Sequence, residues 1–153
     1  MEIADQTYAY FESIHRDVFA GDPACNPSLA VEVVGPEELA GHPTLVLITP
    51  WTLNGMVFGE LADFPSTLSV GARAYPVFAH SLPKLGPYRS INLVPDVSSF
   101  GDQESARKAA RAYLQPFRNA VAKAIEDMSV GDRDRRDLLR GFMPKERDDP
   151  ASR

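Results

Sequence analysis

The stretch from Thr44 to Phe58 constrains this chain most. It reads Thr-Leu-Val-Leu-Ile-Thr-Pro-Trp-Thr-Leu-Asn-Gly-Met-Val-Phe and lies inside the longest uncharged run, Leu39 to Gly59. Leu45 to Ile48 is apolar at every position, so a strand there has to be covered on both faces. Pro50 cannot donate to a sheet ladder and pushes Thr49 towards extended geometry, which ends the strand. Leu53 to Phe58 then begins a second arm, and the short gap predicts an antiparallel hairpin. Trp51, the only tryptophan, sits at the corner. Two readings of it stay open: a core residue closing the end of the sheet, or an aromatic anchor on an interaction surface. The run approaches membrane-spanning length, but Gly41, His42, Pro43, Pro50, Asn54 and Gly55 interrupt it, so buried strands explain it better than a bilayer.

Before this stretch, Tyr8, Phe11, Ile14 and Val18 recur at helical spacing and predict an amphipathic helix from about Asp5 to Phe19. Gly21-Asp22-Pro23 stops it. Leu29 to Val34 alternates as a half-buried strand does, with Gly35-Pro36-Glu37-Glu38 as the following turn and Gly41-His42-Pro43 as another. Beyond Phe58, the residues from Glu60 to Ala74 look mostly like loop. Tyr75 to His80 and Tyr88 to Val94 predict two more strands around the turn Leu82–Pro87. Short connections between strands in sequence order suggest an antiparallel meander.

The strongest periodic signal comes last. Ala106, Ala110, Tyr113, Phe117, Val121, Ile125 and Met128 repeat at three and four, and Asp102 is placed to cap the helix they define. Pro116 removes one backbone bond at a cost of about 3 kcal/mol. The stripe keeps its phase across the proline, which favours one kinked helix over two. The fold class expected is therefore α+β. It comprises a single domain over residues 1–128, with an antiparallel sheet of four to six strands flanked by an N-terminal helix and a long C-terminal helix.

Residues 129–153 differ in composition, with seven basic residues against six acidic ones. That leaves the first 128 residues at −6 of a total charge of −5. The tail is expected to be partly disordered, entirely so past Pro144. Its apolar residues Leu138, Leu139, Phe142 and Met143 suit docking of a short segment.

The 153 residues are enough to bury about two thirds of the unfolded surface without metals or disulfides. The acidic balance argues against sequence-independent nucleic-acid binding, which needs clustered cations. One cysteine, Cys25, rules out an intrachain disulfide or a Cys-pair zinc site and points weakly to a reducing compartment. The first residues carry no secretory signal pattern, so a cytoplasmic location is expected. His15, His42 and His80 fall in three different elements without second ligands at metal-site spacing, and no metal or other cofactor is expected. No phosphate loop or strained nucleophile turn is visible. Glu60 and Asp63 form a conceivable carboxylate pair, but solvated loop acids are the commoner explanation. The chain reads as a binding protein and not as an enzyme.

Three segments resemble a known family. Ile48-Thr49-Pro50-Trp51 resembles the signature strand of the HybE-type [NiFe]-hydrogenase assembly chaperones. Phe100-Gly101-Asp102-Gln103-Glu104-Ser105-Ala106-Arg107 resembles the start of that family's last long helix. Arg135-Arg136-Asp137-Leu138-Leu139-Arg140-Gly141 is similar to its C-terminal Arg-Arg segment. The order and spacing agree from about Tyr8 to Gly141. There are departures: Ser90-Ile91-Asn92-Leu93-Val94-Pro95 stands where relatives have a Cys-Ser-Leu-Phe-Ser-Pro-like strand. A Pro-Gly pair is missing after Phe58, and the Cys pairs of a rubredoxin module are not present.

The resemblance implies a cytoplasmic accessory protein without catalysis. Its partners would be hydrogenase precursors, above all the twin-arginine signal peptide of the small subunit, and possibly the large subunit or other maturation proteins. It would delay export until the clusters and partner subunit are in place. Candidate contacts at the sheet end are Pro50, Trp51, Asn54, Met56 and Phe58, with Glu60 and Asp63 meeting the arginines. Arg135, Arg136, Leu138, Leu139 and Arg140 look like a twin-arginine motif at the wrong end of the chain. They form either a charged segment docked through its leucines or a pseudo-signal that occupies the chaperone's own site. The competing classes are a small-ligand-binding domain and a structural subunit of an assembly pathway.

Overall fold

The apolar run around Pro50 becomes the middle of a five-stranded sheet with a helix on each face. The computed structural model describes residues 1–142, except for the side chains at 131–136 and 140–142. Helix α1 spans Glu2–Ile14 and continues into one π-helical turn, His15–Phe19. Seven strands follow: β1 Glu32–Leu39, β2 His42–Ile48, β3 Leu53–Phe58, β4 Thr67–Val70, β5 Arg73–Pro76, β6 Phe78–Leu82 and β7 Gly86–Val94. Helix α2 runs from Gln103 to Phe142. The main sheet has the order β1-β2-β3-β7-β6 and is antiparallel throughout, while β4 and β5 form a separate hairpin. No helix among the described residues is long and apolar enough to cross a membrane.

Side-chain alternation divides the core in two. Val46, Ile48, Leu53, Val57, Ile91 and Leu93 face α2 and meet its Ala106, Ala110, Phe117 and Val121. Leu45, Leu47, Met56, Phe58 and Tyr88 face the other way, towards Ala4, Phe11 and Ile3 of α1. This is why Leu45–Ile48 is apolar on both faces. Each fully buried aliphatic contributes about 1.5–3 kcal/mol relative to leaving it in water.

The α+β class, the flanking helices and the single long last helix agree with the sequence pattern. Pro116 lies inside α2, and buried stripe residues on either side of it, Ala110 and Phe117, meet the same core. Other details differ. The buried face of α1 is Ala4 and Thr7, whereas Tyr8 and Val18 are 46% and 67% exposed. Thr7 is buried at no cost in hydrogen bonding because its hydroxyl donates to Ile3 O at 2.7 Å. β1 begins at Glu32 and runs through the expected Gly35–Glu38 turn as a bulge, with the register shifting between Val34 and Glu37. Gly35 has φ +59°, and a side chain there would collide with Leu114 of α2. The hairpin turn is Ala40-Gly41, one residue ahead of the expected Gly41-His42-Pro43 turn, with both residues at positive φ as a two-residue hairpin requires. The sheet is not a simple meander, because β7 pairs with β3 across the β4–β5 excursion and puts β6 at the edge.

The segment resembling the family's helix start ties α2 to the sheet. Asp102 Oδ1 accepts from Ser105 N at 2.8 Å and caps the helix. Gln103 accepts from Ala30 N at 2.8 Å and donates to Glu32 at 2.9 Å. Arg107 then grips the Glu32 carboxylate with two bonds, of 2.7 and 2.9 Å.

Candidate functional site

The Pro-Trp corner is a tied turn. Thr49 N donates to Thr52 O at 2.9 Å, and Thr49 Oγ1 accepts from Thr52 N at 2.9 Å. Pro50 is buried, and its carbonyl accepts from Asn26 N at 2.7 Å. Thr52 Oγ1 reaches Val94 O at 3.2 Å, which anchors the corner to the end of β7. Trp51 is therefore held on a rigid loop but is itself only half-buried. Its ring lies 4.8 Å from that of Phe19 and 6.1 Å from that of His15. Trp51 belongs neither to the core nor to free solvent; it forms a wall.

What it walls is a groove of about 450 Å³ on the α1 face of the sheet. Phe11 of α1 stands on one side, and β3, β7 and β6 supply the floor. Pairing arranges that floor in rows: Asn54 beside Asn92, Met56 beside Ser90 and Phe78, and Tyr88 beside His80. Helix α1 packs on this face against residues of β2, β3 and β7, while Phe78 and His80 of β6 stay exposed. A second concavity of about 800 Å³ follows the flank of α1 towards the β6–β7 turn, lined by Tyr10, Ser13, Pro83 and Lys84 among others.

The groove is polar in places but carries no fixed charge. His80 Nε2 lies 3.0 Å from Ser90 Oγ, and its ring stacks on Tyr88 at 4.7 Å. Burial lowers the pKa of His80 below its ordinary value. The Tyr88 hydroxyl is pushed up to about 12, by burial first and by Tyr10 second. Both groups are thus neutral near pH 7. Ser90 is buried within the β7 ladder, and its hydroxyl orients the imidazole. Asn54 and Asn92 add hydrogen-bonding groups to a surface otherwise made by Trp51, Phe78 and Pro95, with Met56 and Thr52 buried behind it. Such a surface suits a neutral chain segment with apolar side chains.

Of the residues singled out in the sequence, Trp51, Asn54 and Met56 come together in this groove. Pro50 is buried in the turn that carries Trp51 and does not line the groove. Phe58 lies on the same face but is buried against Tyr88, with ring centroids 5.4 Å apart. Glu60 and Asp63 are exposed and do not line the groove, since they follow the end of β3 remote from Trp51. The sequence left out Phe78, His80, Tyr88, Ser90 and Asn92. The alternation of Tyr88, Ser90 and Asn92 with Ile91 and Leu93 was the signal available for the last three. Arg135, Arg136 and Arg140 fall on the last turns of α2, and their side chains lie outside the described residues, as do Met143 and the segment past Pro144. Leu138 and Leu139 are each 62% exposed, so they do not dock on the body.

The remaining candidates are structural. The Cys25 thiol is pushed up by burial and by Asp22 and lies 3.6 Å from Phe19 O, which makes it a poor nucleophile. His42 Nδ1 sits 2.9 Å from Phe58 O. Among the described residues no three His, Cys, Asp or Glu side chains gather around a common point.

Comparison with known proteins agrees with the segments noted above. The model of the family described as "[NiFe]-hydrogenase assembly, chaperone, HybE" matches residues 2–141. The hydrogenase expression/formation protein HupT of Azotobacter chroococcum mcd 1 is 34% identical over 116 residues, covering 70% of this chain and 76% of HupT. The hydrogenase expression/formation protein HoxT of Azotobacter vinelandii is 32% identical over 130 residues, covering 79% of this chain and 84% of HoxT. The probable rubredoxin HupJ of Rhodobacter capsulatus is 26% identical over 80% of this chain but only 47% of its own length. No solved structure matches the chain.

Proposed function

The chain belongs to the HybE family of [NiFe]-hydrogenase assembly chaperones, and from that premise we propose that it holds hydrogenase precursors through the Trp51 groove. The client is the small-subunit precursor with its twin-arginine signal peptide, retained in the cytoplasm until cofactors and partner subunit are in place. The observation that supports this is the state of Trp51: half-buried on a tied turn, at the rim of an uncharged groove. A large aromatic kept partly in water on a rigid support is the usual anchor of an interface. Trp51 and Asn54 contact the client, Pro50, Met56 and Phe58 are buried and hold the structure behind them, and Glu60 and Asp63 draw the arginines at longer range. The protein carries out no chemistry on its client.

Co-purification from cells making the hydrogenase tests this directly. The precursor with its signal peptide is expected to be captured, and capture is expected to fall on removal of the signal peptide or in Trp51→Ala. Equal capture of precursor with and without the signal would sink the signal-peptide assignment.

A second role concerns the Arg-Arg segment. Since Leu138 and Leu139 are solvent-exposed, the segment is available to compete with a real signal as a pseudo-signal. Deleting residues 134–153 should then raise affinity for the precursor, and an unchanged or lower affinity would exclude self-occlusion.

A further inference from the structure

The two edges of the main sheet are built differently. β1 carries a bulge between Val34 and Glu37, a proline without an N–H at Pro36, and the carboxylates of Glu37 and Glu38. Arg118 fastens the bulge to α2, donating to Gly35 O at 2.7 Å and meeting Glu37 at 3.2 Å. A bulge, a proline and charges are the devices by which proteins keep an edge from pairing. β6, at the other edge, has none of them. Its five residues, Phe-Ala-His-Ser-Leu, contain no fixed charge and no proline, and its register with β7 is unbroken. Among the described residues no strand lies on its outer side. Phe78 is 45% exposed there.

The unprotected edge borders the groove. Phe78 and His80 project from β6 onto the groove face, while Phe11 of α1 stands across it. A strand edge facing a helix across a cleft offers an extended peptide two things at once. The backbone supplies hydrogen bonds, and the cleft receives every second side chain. Charge selects the occupant further. The chain is acidic overall at −5, yet the groove residues include no Asp, Glu, Lys or Arg. Arginines of a client have no partner inside it and are left to the outer surface.

We propose that β6 binds its client by strand addition: an extended, uncharged segment pairs with the free edge of Phe78–Leu82 and places alternate apolar side chains beside Phe78 and His80. This deepens the function proposed above and rests on it. It assigns the groove to a neutral stretch of the precursor and not to its arginine pair.

The test uses the full chain and short overlapping synthetic peptides that cover the small-subunit precursor. The tightest-binding peptide is then resynthesised with single backbone N-methyl groups at successive positions. Strand addition predicts alternation: methylation at every second residue weakens binding by about tenfold or more, and the residues between tolerate it. Hydrogen exchange should show new protection within Phe78–Leu82. Ala79→Glu, at an exposed position facing away from the groove, should lower affinity several-fold without lowering the melting temperature.

A peptide that binds and loses affinity in Trp51→Ala, yet shows no alternation, overturns strand addition and leaves the client site standing. If no peptide binds, the client-site reading falls and this inference with it. A free chain that sediments as a dimer with the β6 amides already protected also overturns it, because the edge would then be taken by a second copy.

Discussion

Gly55 of β3 lies directly beneath the ring of Phe117 of α2, so close that a side-chain carbon on Gly55 would stand 2.6 Å from Phe117 Cε1. An isolated glycine inside a strand often marks such an approach. Here it lets α2 settle on the sheet with Phe117 fully buried at the centre of the larger core. Gly55→Ala is expected to destabilise the protein by about 1–3 kcal/mol through overpacking. Phe117→Ala should cost about 3–5 kcal/mol through the cavity it leaves. Combining Gly55→Ala with Phe117→Leu should cost less than the sum of the two single changes, since the smaller residue relieves the clash. Urea denaturation of the native protein, Gly55→Ala, Phe117→Ala, Phe117→Leu and the Gly55→Ala/Phe117→Leu double checks all three; strict additivity would mean that the two residues do not share one space.

Glu32 and Arg107 make the second prediction. The Arg107 guanidinium first, with help from Gln103, holds the carboxyl of Glu32 below its ordinary value of 4.5 against the opposing, raising effect of burial. A carboxylate with a depressed folded pKa stabilises the native state above its unfolded value, and that stability is lost as pH falls through the folded value. The melting temperature of the native protein should therefore drop on acidification from about pH 4.5 downward. In Glu32→Gln it should be lower at neutral pH by a few degrees and depend less on pH across that acid range. Calorimetry at several pH values decides it, and parallel acid limbs in the two proteins would remove Glu32 from the account.

These two pairs also show what was legible in the chain and why the rest was not. β2, the corner and the stripe of α2 stood out because each is specified by neighbours in sequence: an uncharged run, a proline, a three-four repeat. Gln103 and Arg107 belonged to a recognisable segment, but their partners Ala30 and Glu32 lie more than seventy residues away. The face of α1 was misassigned because its buried residues include a small one and a threonine, Ala4 and Thr7, whereas counting large apolar residues selects Tyr8 and Val18. The groove was half visible. Trp51, Asn54 and Met56 follow from the hairpin, but Phe78 and His80 join them only because β7 pairs with β3 across an intervening hairpin. Glu60 and Asp63 were placed by closeness to Phe58 in sequence, and six residues of extended strand separate that end from Trp51.

Trp51 supplies the third prediction. Its ring contacts Phe19 and His15 at the rim and does not belong to either buried cluster. Trp51→Ala should weaken client binding by about 2 kcal/mol, roughly thirtyfold in Kd. The melting temperature should fall much less than in Phe117→Ala. Titration calorimetry with the precursor peptide, beside a thermal scan of both variants, separates the two effects. Should Trp51→Ala melt as early as Phe117→Ala, Trp51 would be a core residue and the groove would lose its anchor.

His80 gives the groove a pH dependence whose sign is fixed by burial. The ring stacks on Tyr88 and bonds Ser90, and burial lowers its pKa from the ordinary 6.5. The neutral imidazole is therefore the form the folded protein prefers. Above about pH 6.5 the ring is neutral in both folded and unfolded chains and makes no difference. As pH falls through 6.5 the unfolded chain takes up the proton first, so stability declines until the folded value is passed. His80→Gln keeps a hydrogen-bonding group for Ser90 and removes the titration, and its stability should be flat over that window. Client affinity should follow the same direction, since protonation puts a positive charge beside a segment that carries none. Binding measured at pH 7 and about pH 5.5 is expected to weaken in the native protein and to hold steady in His80→Gln. An NMR titration placing the His80 pKa above 6.5 would reverse the sign of the stability dependence and overturn this prediction.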